Sequence, residues 1–340
     1  MSSSFRKKSV KRKKNLVLIL FAIIAAMGGC CFLWSQMPDQ PTVTAVSVNR
    51  NNVSKTDNTI IEYNGTEYHY NDHLTNYLFL GIDTREKVSD YTRQSDAGQA
   101  DVIFLISVDR VTKKTQILVI PRDTITEIEV FNPSGKSLGT TQDHINIQYA
   151  YGDGKDKSCQ LMSDAVSRLL GNIPIQKYCS LNMDGIPLLT EAVDGVTVTV
   201  PDSSLEFQNP EFYEGAVVEL TSGNTEMFVR YRDTLQPGSA MIRQTRQKVF
   251  MKAFIEKARK KATENASFVI DLFEGLKPYT ITNISNDVFA ELLTASEGTM
   301  ADIKTVPGET VEGENFDEYH VYEEELTRLL VEMLLSLIHI

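Results

Sequence analysis

The chain has 340 residues, of which 42% are hydrophobic and 23% charged, with 34 Lys+Arg against 45 Asp+Glu. Those fractions describe a folded globular protein and exclude a disordered, collagen-like or polytopic membrane chain. The net charge of −11 is unevenly spread: Arg6, Lys7, Lys8, Lys11, Arg12, Lys13 and Lys14 precede any acid, and without those seven the remaining 27 basic residues face 45 acids, a charge of −18. A body that acidic lacks the basic footprint a phosphate backbone requires, so nucleic acid is excluded as a general partner.

Residues 1–15 read as a basic cytoplasmic tail and residues 16–34 as a transmembrane helix. Leu16 to Trp34 carries no charge. At about 1.5 Å per helical residue it covers about 28 Å, close to a bilayer's hydrocarbon core. Basic residues on one flank only place that flank in the cytoplasm and everything after Trp34 outside. Residues 35–74, rich in Asn, Thr and Ser, read as an extracytoplasmic stalk with a short extended piece, and the folded domain is expected over 75–335. Of the four cysteines, Cys159 and Cys179 alone lie beyond the span. They fit a disulfide or two buried thiols equally. Scattered histidines argue against a His-built metal site.

From Tyr77 onward, Tyr77–Asp83 reads as a buried strand, Asp101–Asp109 as a second and Thr115–Ile120 as a third, the last two forming a hairpin. Gln160–Leu170 has helical apolar spacing and stops at Gly171. Further strands are expected at 175–181 and 196–200. Helices are expected at 185–193, across the basic stretch 240–262, near 288–295 and from 323 to about 335, with a strand near 303–306 between the last two. Helices mixed with short apolar strands imply an α/β fold, a three-layer αβα sandwich around a mixed central sheet.

Three groups of residues carry chemistry. Arg230, Arg232, Arg243, Arg246, Lys248 and Lys252 stand against the single Asp233, and Arg243, Arg246 and Gln247 share one face of a helix. Four guanidiniums arriving from two adjacent elements suit a phosphate or pyrophosphate; the alternative is a solvated basic face. Asp83 closes the first strand and Asp101 opens the second, at the strand ends where α/β sheets bind ligands. They serve either as turn-capping aspartates or as a pair of oxygen donors for a hard cation such as Mg2+. Pro121-Arg122-Asp123-Thr124 follows a strand directly, and its Arg and Asp form a structural ion pair or offer an arginine to the same crevice.

In order, Leu80-Gly81-Ile82-Asp83, Asp101, Ile120-Pro121-Arg122-Asp123, Ile145-Asn146-Ile147-Gln148-Tyr149-Ala150-Tyr151-Gly152, Asp194-Gly195-Val196-Thr197-Val198, Val229-Arg230-Tyr231-Arg232 and Arg243-Gln244-Thr245-Arg246-Gln247 resemble the LytR-CpsA-Psr family of bacterial cell-envelope proteins. The likeness runs over roughly residues 75–260. It implies a single-pass protein, of a Gram-positive-type bacterium, whose C-terminal domain faces the cell wall. The implied activity is an Mg2+-dependent phosphotransferase that moves a glycopolymer phosphate from a polyprenyl-pyrophosphate carrier onto peptidoglycan. Carried over by position, Asp83 and Asp101 are the metal carboxylates. Arg122 and Asp123 are the catalytic pair, and Arg230, Arg232, Arg243, Arg246 and Gln247 line the pyrophosphate. The same residues would serve a hydrolase of the lipid carrier, and a non-catalytic polymer-binding regulator is the reading from another class. Three departures stand out: Gln99-Ala100-Asp101-Val102 where the family has Arg-Ser-Asp-Thr, His144 at a common Lys, and Ser239-Ala240-Met241-Ile242 where a Gly-Asp usually precedes the helix arginines.

Overall fold

The computed structural model describes residues 60–91, 97–112, 114–132, 134–231, 239–265, 267–285, 302–313 and 316–337. The tail 1–15, the span 16–34, most of the stalk, Arg232 and the helix expected near 288–295 lie outside the described residues. Among the described residues no helix is long and apolar enough to cross a membrane.

In chain order, a hairpin of β1 (Ile60–Tyr63) and β2 (Thr66–Tyr70) leads into β3 (Leu74–Ile82), β4 (Ala100–Asp109) and β5 (Thr115–Ile120). A second hairpin, β6 (Ile125–Phe131) and β7 (Ser137–His144), precedes a 3-10 turn over Ile145–Tyr151 and helix α1 (Asp156–Leu169). Then come β8 (Lys177–Asn182), α2 (Gly185–Ala192), β9 (Val196–Thr199), β10 (Val217–Leu220), α3 (Thr225–Arg230), the long α4 (Ser239–Glu264) and α5 (Phe268–Leu276). The chain closes with β11 (Thr280–Thr282), β12 (Asp302–Thr305), the hairpin β13 (Gly308–Glu312) and β14 (Asp317–Val321), α6 (Glu323–Leu334) and β15 (Leu335–Leu337).

Six strands form the central sheet in the order β11-β8-β3-β4-β5-β12. It is mixed: β3 runs parallel to β8 and β5 to β12, while β3–β4, β4–β5 and β8–β11 are antiparallel. β3 and β4 are apolar almost throughout because both of their faces are covered. Leu78, Leu80, Ile103 and Leu105 point into one core with Met162, Val166 and Leu169 of α1 and Leu326 and Leu330 of α6. Tyr77, Phe79, Phe104 and Ile106 point into the other with Leu189 of α2, Phe228 of α3, Phe250 and Phe254 of α4 and Leu272 of α5. This is the expected helix–sheet–helix sandwich. The cross-strand pair Phe79 and Phe104 stacks at 5.3 Å between centroids, 10° from parallel, at the middle of the second core, a geometry that adds to plain burial. Helix α1 ends where the sequence places its stop: Gly171 takes φ +77, and the Asn172 amide returns to the Ser167 carbonyl at 2.7 Å.

The stretch read as stalk ends in structured chain, since β2 pairs with β1 and also with β15. Cys159 and Cys179 are both buried and free. Burial pushes each thiol up to about 12.

Candidate active site

The hairpin register assembles the site. β4 and β5 pair Ile103 with Ile120 and Phe104 with Val119. Continuing the antiparallel count outward by two residues sets Asp101 opposite Arg122, and Arg122 Nη1 donates to Asp101 Oδ1. Arg122 Nε donates to Asp123 Oδ1 at 3.0 Å, so one guanidinium is held by two carboxylates. The three side chains are 35%, 25% and 36% exposed, a half-open position at the sheet's rim. The C-terminal hairpin braces the same segment: the Tyr319 amide donates to the Asp123 carbonyl at 2.8 Å.

Asp83 arrives from the neighbouring strand pair. Its amide donates to the Gln99 carbonyl at 3.1 Å, and its Oδ1 accepts the Gln99 amide at 2.6 Å. Gly98 makes this turn possible. It takes φ +69, and a Cβ there would collide with Thr84 Cγ2 and lie 2.6 Å from Asp83 Oδ1, so glycine alone lets the backbone close on the carboxylate. Because β3, β5 and β8 share one direction, Asp83, Arg122 and the residues after β8 all emerge at one edge of the sheet, the ligand-binding edge of α/β folds.

The electrostatics tie the groups together. Burial pushes the Asp101 carboxyl up, the Arg122 charge pulls it down, Asp83 pushes it up again and Arg243 pulls it down. Burial works against the charge on Arg122, and the carboxylates of Asp101, Asp123 and Asp83 outweigh it, raising its pKa. Arg243, half-buried on α4, therefore contributes to the field at Asp101.

A second cluster lies beside it, in which Arg230 meets three residues that the sequence analysis does not single out. Arg85, two residues beyond Asp83, donates through Nη2 to Glu226 Oε1 and through Nη1 to Asp184 Oδ1 at 3.2 Å. Arg230 Nη1 donates to the same Glu226 oxygen at 2.5 Å. Burial opposes the charge on Glu226, but the two guanidiniums prevail and lower its pKa. Two signals were available: Arg85 sits in the loop directly after a strand, and Glu226 precedes Arg230 by four residues on a helix.

Arg246 is a correction. Its side chain is 1% exposed and turned inside, where Nε donates to the Phe228 carbonyl at 2.8 Å, Nη1 to Asp202 Oδ1 at 3.0 Å and to Ser204 Oγ, and Nη2 to the Tyr231 carbonyl. Burial lowers its pKa and Asp202 opposes that. With its guanidinium spent on interior partners it does not line the crevice. Gln247 falls on α4, where its backbone continues the helix. At the three departures, Gln99 Oε1 accepts from Asn146 Nδ2 at 3.0 Å, while His144 lies between Asp143 Oδ1 and the Asp317 carbonyl, 3.1 Å from each. The third, Ser239-Ala240-Met241-Ile242, forms the first turn of α4.

The two aspartates suit a hard cation. Each spends Oδ1 on a protein donor, and Oδ2 takes no hydrogen bond from the described residues. An all-oxygen set of one or two carboxylates is what Mg2+ takes when substrate phosphates complete its shell.

Fold and site together define a three-layer α/β protein that gathers arginines and aspartates at the rim of its sheet. The chain belongs to the LytR_cpsA_psr family, whose model matches residues 42–333. It is 29% identical over 262 residues to the polyisoprenyl-teichoic acid–peptidoglycan teichoic acid transferase TagU of Halalkalibacterium halodurans, covering 75% of this chain and 77% of that one. It is 25% identical over 345 residues to the protein of that name from Oceanobacillus iheyensis, covering 97% and 96%. Among solved structures, protein gbs0355 of Streptococcus agalactiae aligns with TM-score 0.57 at 21% identity, over 76% of this chain and 87% of that one. TagV of Bacillus subtilis aligns with TM-score 0.53 at 21% identity, over 77% and 97%. These last two likenesses are of fold.

Proposed function

We propose that this chain is a transferase of the cell envelope that moves a glycopolymer phosphate from a polyprenyl-pyrophosphate carrier onto a peptidoglycan hydroxyl. The observation that carries it is the meeting of Asp83, Asp101, Arg122 and Arg243 in one field at the sheet's rim, with Arg85 and Arg230 beside it. Family membership and relatives named as teichoic acid transferases support the same reading. A related fold, TagT, is solved bound to LI-WTA, in keeping with a glycopolymer substrate here.

In this reading Arg122, Arg230 and Arg243 bind the pyrophosphate, with Arg232 and Gln247 completing the set by position in the family motif. The acceptor hydroxyl attacks the phosphorus that bears the sugar polymer and gives up its proton to water as the new P–O bond forms. The bond from that phosphorus to the bridging oxygen breaks, and polyprenyl phosphate leaves with the electron pair. Charge grows on the bridging and non-bridging oxygens as this happens, and fixed guanidiniums answer it at little reorganisation cost. Asp123 orients Arg122 by its hydrogen bond to Nε. Asp83 and Asp101 would hold Mg2+, which supplies further neutralisation of the pyrophosphate when bound. The basic tail and apolar span would hold the catalytic domain on the outer face of the membrane, next to a membrane-borne donor.

The test is reconstitution of the full chain in proteoliposomes with a polyprenyl-pyrophosphate-linked sugar and peptidoglycan fragments. Sugar phosphate attached to the glycan is expected. Release of sugar phosphate into water instead would make the protein a hydrolase, and binding without release would make it a carrier or regulator.

A further inference from the structure

The buried arginine of α4 does more than fill the core. From α4, its three nitrogens reach two other segments: the loop after β9 through Asp202 and Ser204, and the end of α3 through the Phe228 and Tyr231 carbonyls. The two carbonyls belong to the C-terminal turn of α3, whose last C=O groups have no partner within the helix. A cation at that end is also favoured by the helix dipole. Arg230 lies between the two captured carbonyls, and Arg243 lies one turn before Arg246 on α4. A single side chain thus ties the helix that carries one crevice arginine to the helix that carries the other.

We propose that Arg246 is a positioning residue that fixes Arg230 against Arg243, so that the two guanidiniums meet one pyrophosphate. The proposal rests on the pyrophosphate-binding reading of Arg230 given above. A lysine could not replace it, because an ammonium offers its donors from one point whereas the planar fork reaches carbonyls and carboxylate at once. Asp202 completes the device. Its Oδ1 accepts from Arg246, from the Ser204 amide at 3.0 Å and from the Ser204 hydroxyl at 2.5 Å. Its Oδ2 is buried with no hydrogen-bond partner among the described residues, so the guanidinium is the one cationic partner of that carboxylate among them.

The experiment is a double-mutant cycle on the full chain in detergent, using Arg230→Ala, Arg246→Lys and the pair. Affinity for inorganic pyrophosphate is read by calorimetry, beside the KM and kcat of the transfer reaction and the melting temperature. Phe250→Leu, a core change on the same helix that makes none of these hydrogen bonds, is the control for lost stability. Arg246→Lys is expected to weaken pyrophosphate binding and raise KM by tenfold or more, with a smaller change in kcat per folded molecule. In the Arg230→Ala background it should add less than threefold, because the group it positions is gone. Phe250→Leu should leave pyrophosphate affinity within twofold whatever it does to the melting temperature. Equal effects of Arg246→Lys with and without Arg230, or an effect matched by Phe250→Leu, would overturn the positioning role while leaving Arg230 as a ligand. Unchanged affinity in Arg230→Ala alone would overturn both the role of Arg230 and the inference built on it.

Discussion

Gly98→Ala separates the geometry around Asp83 from the general stability of the fold. An alanine forced to keep φ +69 costs about 1–2 kcal/mol. The added methyl also overlaps Thr84 Cγ2 and lies 2.6 Å from Asp83 Oδ1, so either the Asp83 carboxylate leaves the Gln99 amide or the turn opens. Losing a hydrogen bond to a charged group costs about 1.5–3 kcal/mol, and the exposure of Asp83 puts this one at the low end. The total is about 2–4 kcal/mol, which for a domain of this size lowers the melting temperature by roughly 4–16 °C. Gly135→Ala is the control, since Gly135 takes φ +77 with nothing within 4 Å of the added carbon; it should cost only the backbone term, about 1–2 kcal/mol. Both variants would be melted in detergent and assayed for polyprenyl-phosphate release. Displacing a carboxylate of the proposed site by about an ångström costs on the order of a hundredfold in rate, so Gly98→Ala should lose most activity and Gly135→Ala almost none. Equal melting temperatures and equal activities in the two variants would refute the role given to this turn.

Other outcomes follow from the core, the thiols and the second arginine cluster. Leu78→Ala, at a fully buried position on the third strand of the six-stranded sheet, should cost about 2–5 kcal/mol, read from the urea midpoint. Cys159 and Cys179, held near 12 by burial, should resist iodoacetamide at pH 8 until urea is added, as peptide mass spectrometry would show. Between about pH 9 and 12 the unfolded chain sheds these protons while the folded chain keeps them. Stability should therefore fall by about 1.4 kcal/mol per pH unit for each thiol, in urea titrations over that range. Glu226→Gln breaks only half-exposed ion pairs, worth about 0–1 kcal/mol together. It should barely move the melting temperature, yet strengthen pyrophosphate binding severalfold in calorimetry by releasing Arg85 and Arg230 from their shared anion.

The sheet was legible because its strands are buried on both faces: Tyr77–Ile82, Ile103–Val108 and Ile117–Ile120 are apolar runs that suit little else. The hairpin between the last two has a short turn that fixes the register bringing Asp101 to Arg122, a pairing the sequence analysis leaves out in favour of Arg122 with Asp123. β7 was not readable in this way, because nearly all its residues are exposed and its Ser, Gly, Thr and Gln give no alternation. The β1–β2 hairpin was hidden for a different reason: its polar face resembles linker, and its other partner, β15, lies at the far end of the chain. Arg246 shows the limit of reading a helix face from spacing. Positions three apart differ by about 60° around the axis, enough to leave Arg243 within reach of Asp101 while Arg246 turns under α3. Arg85 and Asp184 meet through the parallel pairing of β3 and β8, a crossover that no local pattern announces.

The most direct measurement is polyprenyl-phosphate release by the full chain in proteoliposomes with peptidoglycan fragments, run with Mg2+, with EDTA, and with Arg122→Ala and Asp101→Ala. Release that requires Mg2+, falls at least a hundredfold in both variants and leaves sugar phosphate on the glycan is the expected result. Release that persists in EDTA and in both variants would contradict the assignment of the reaction to this crevice.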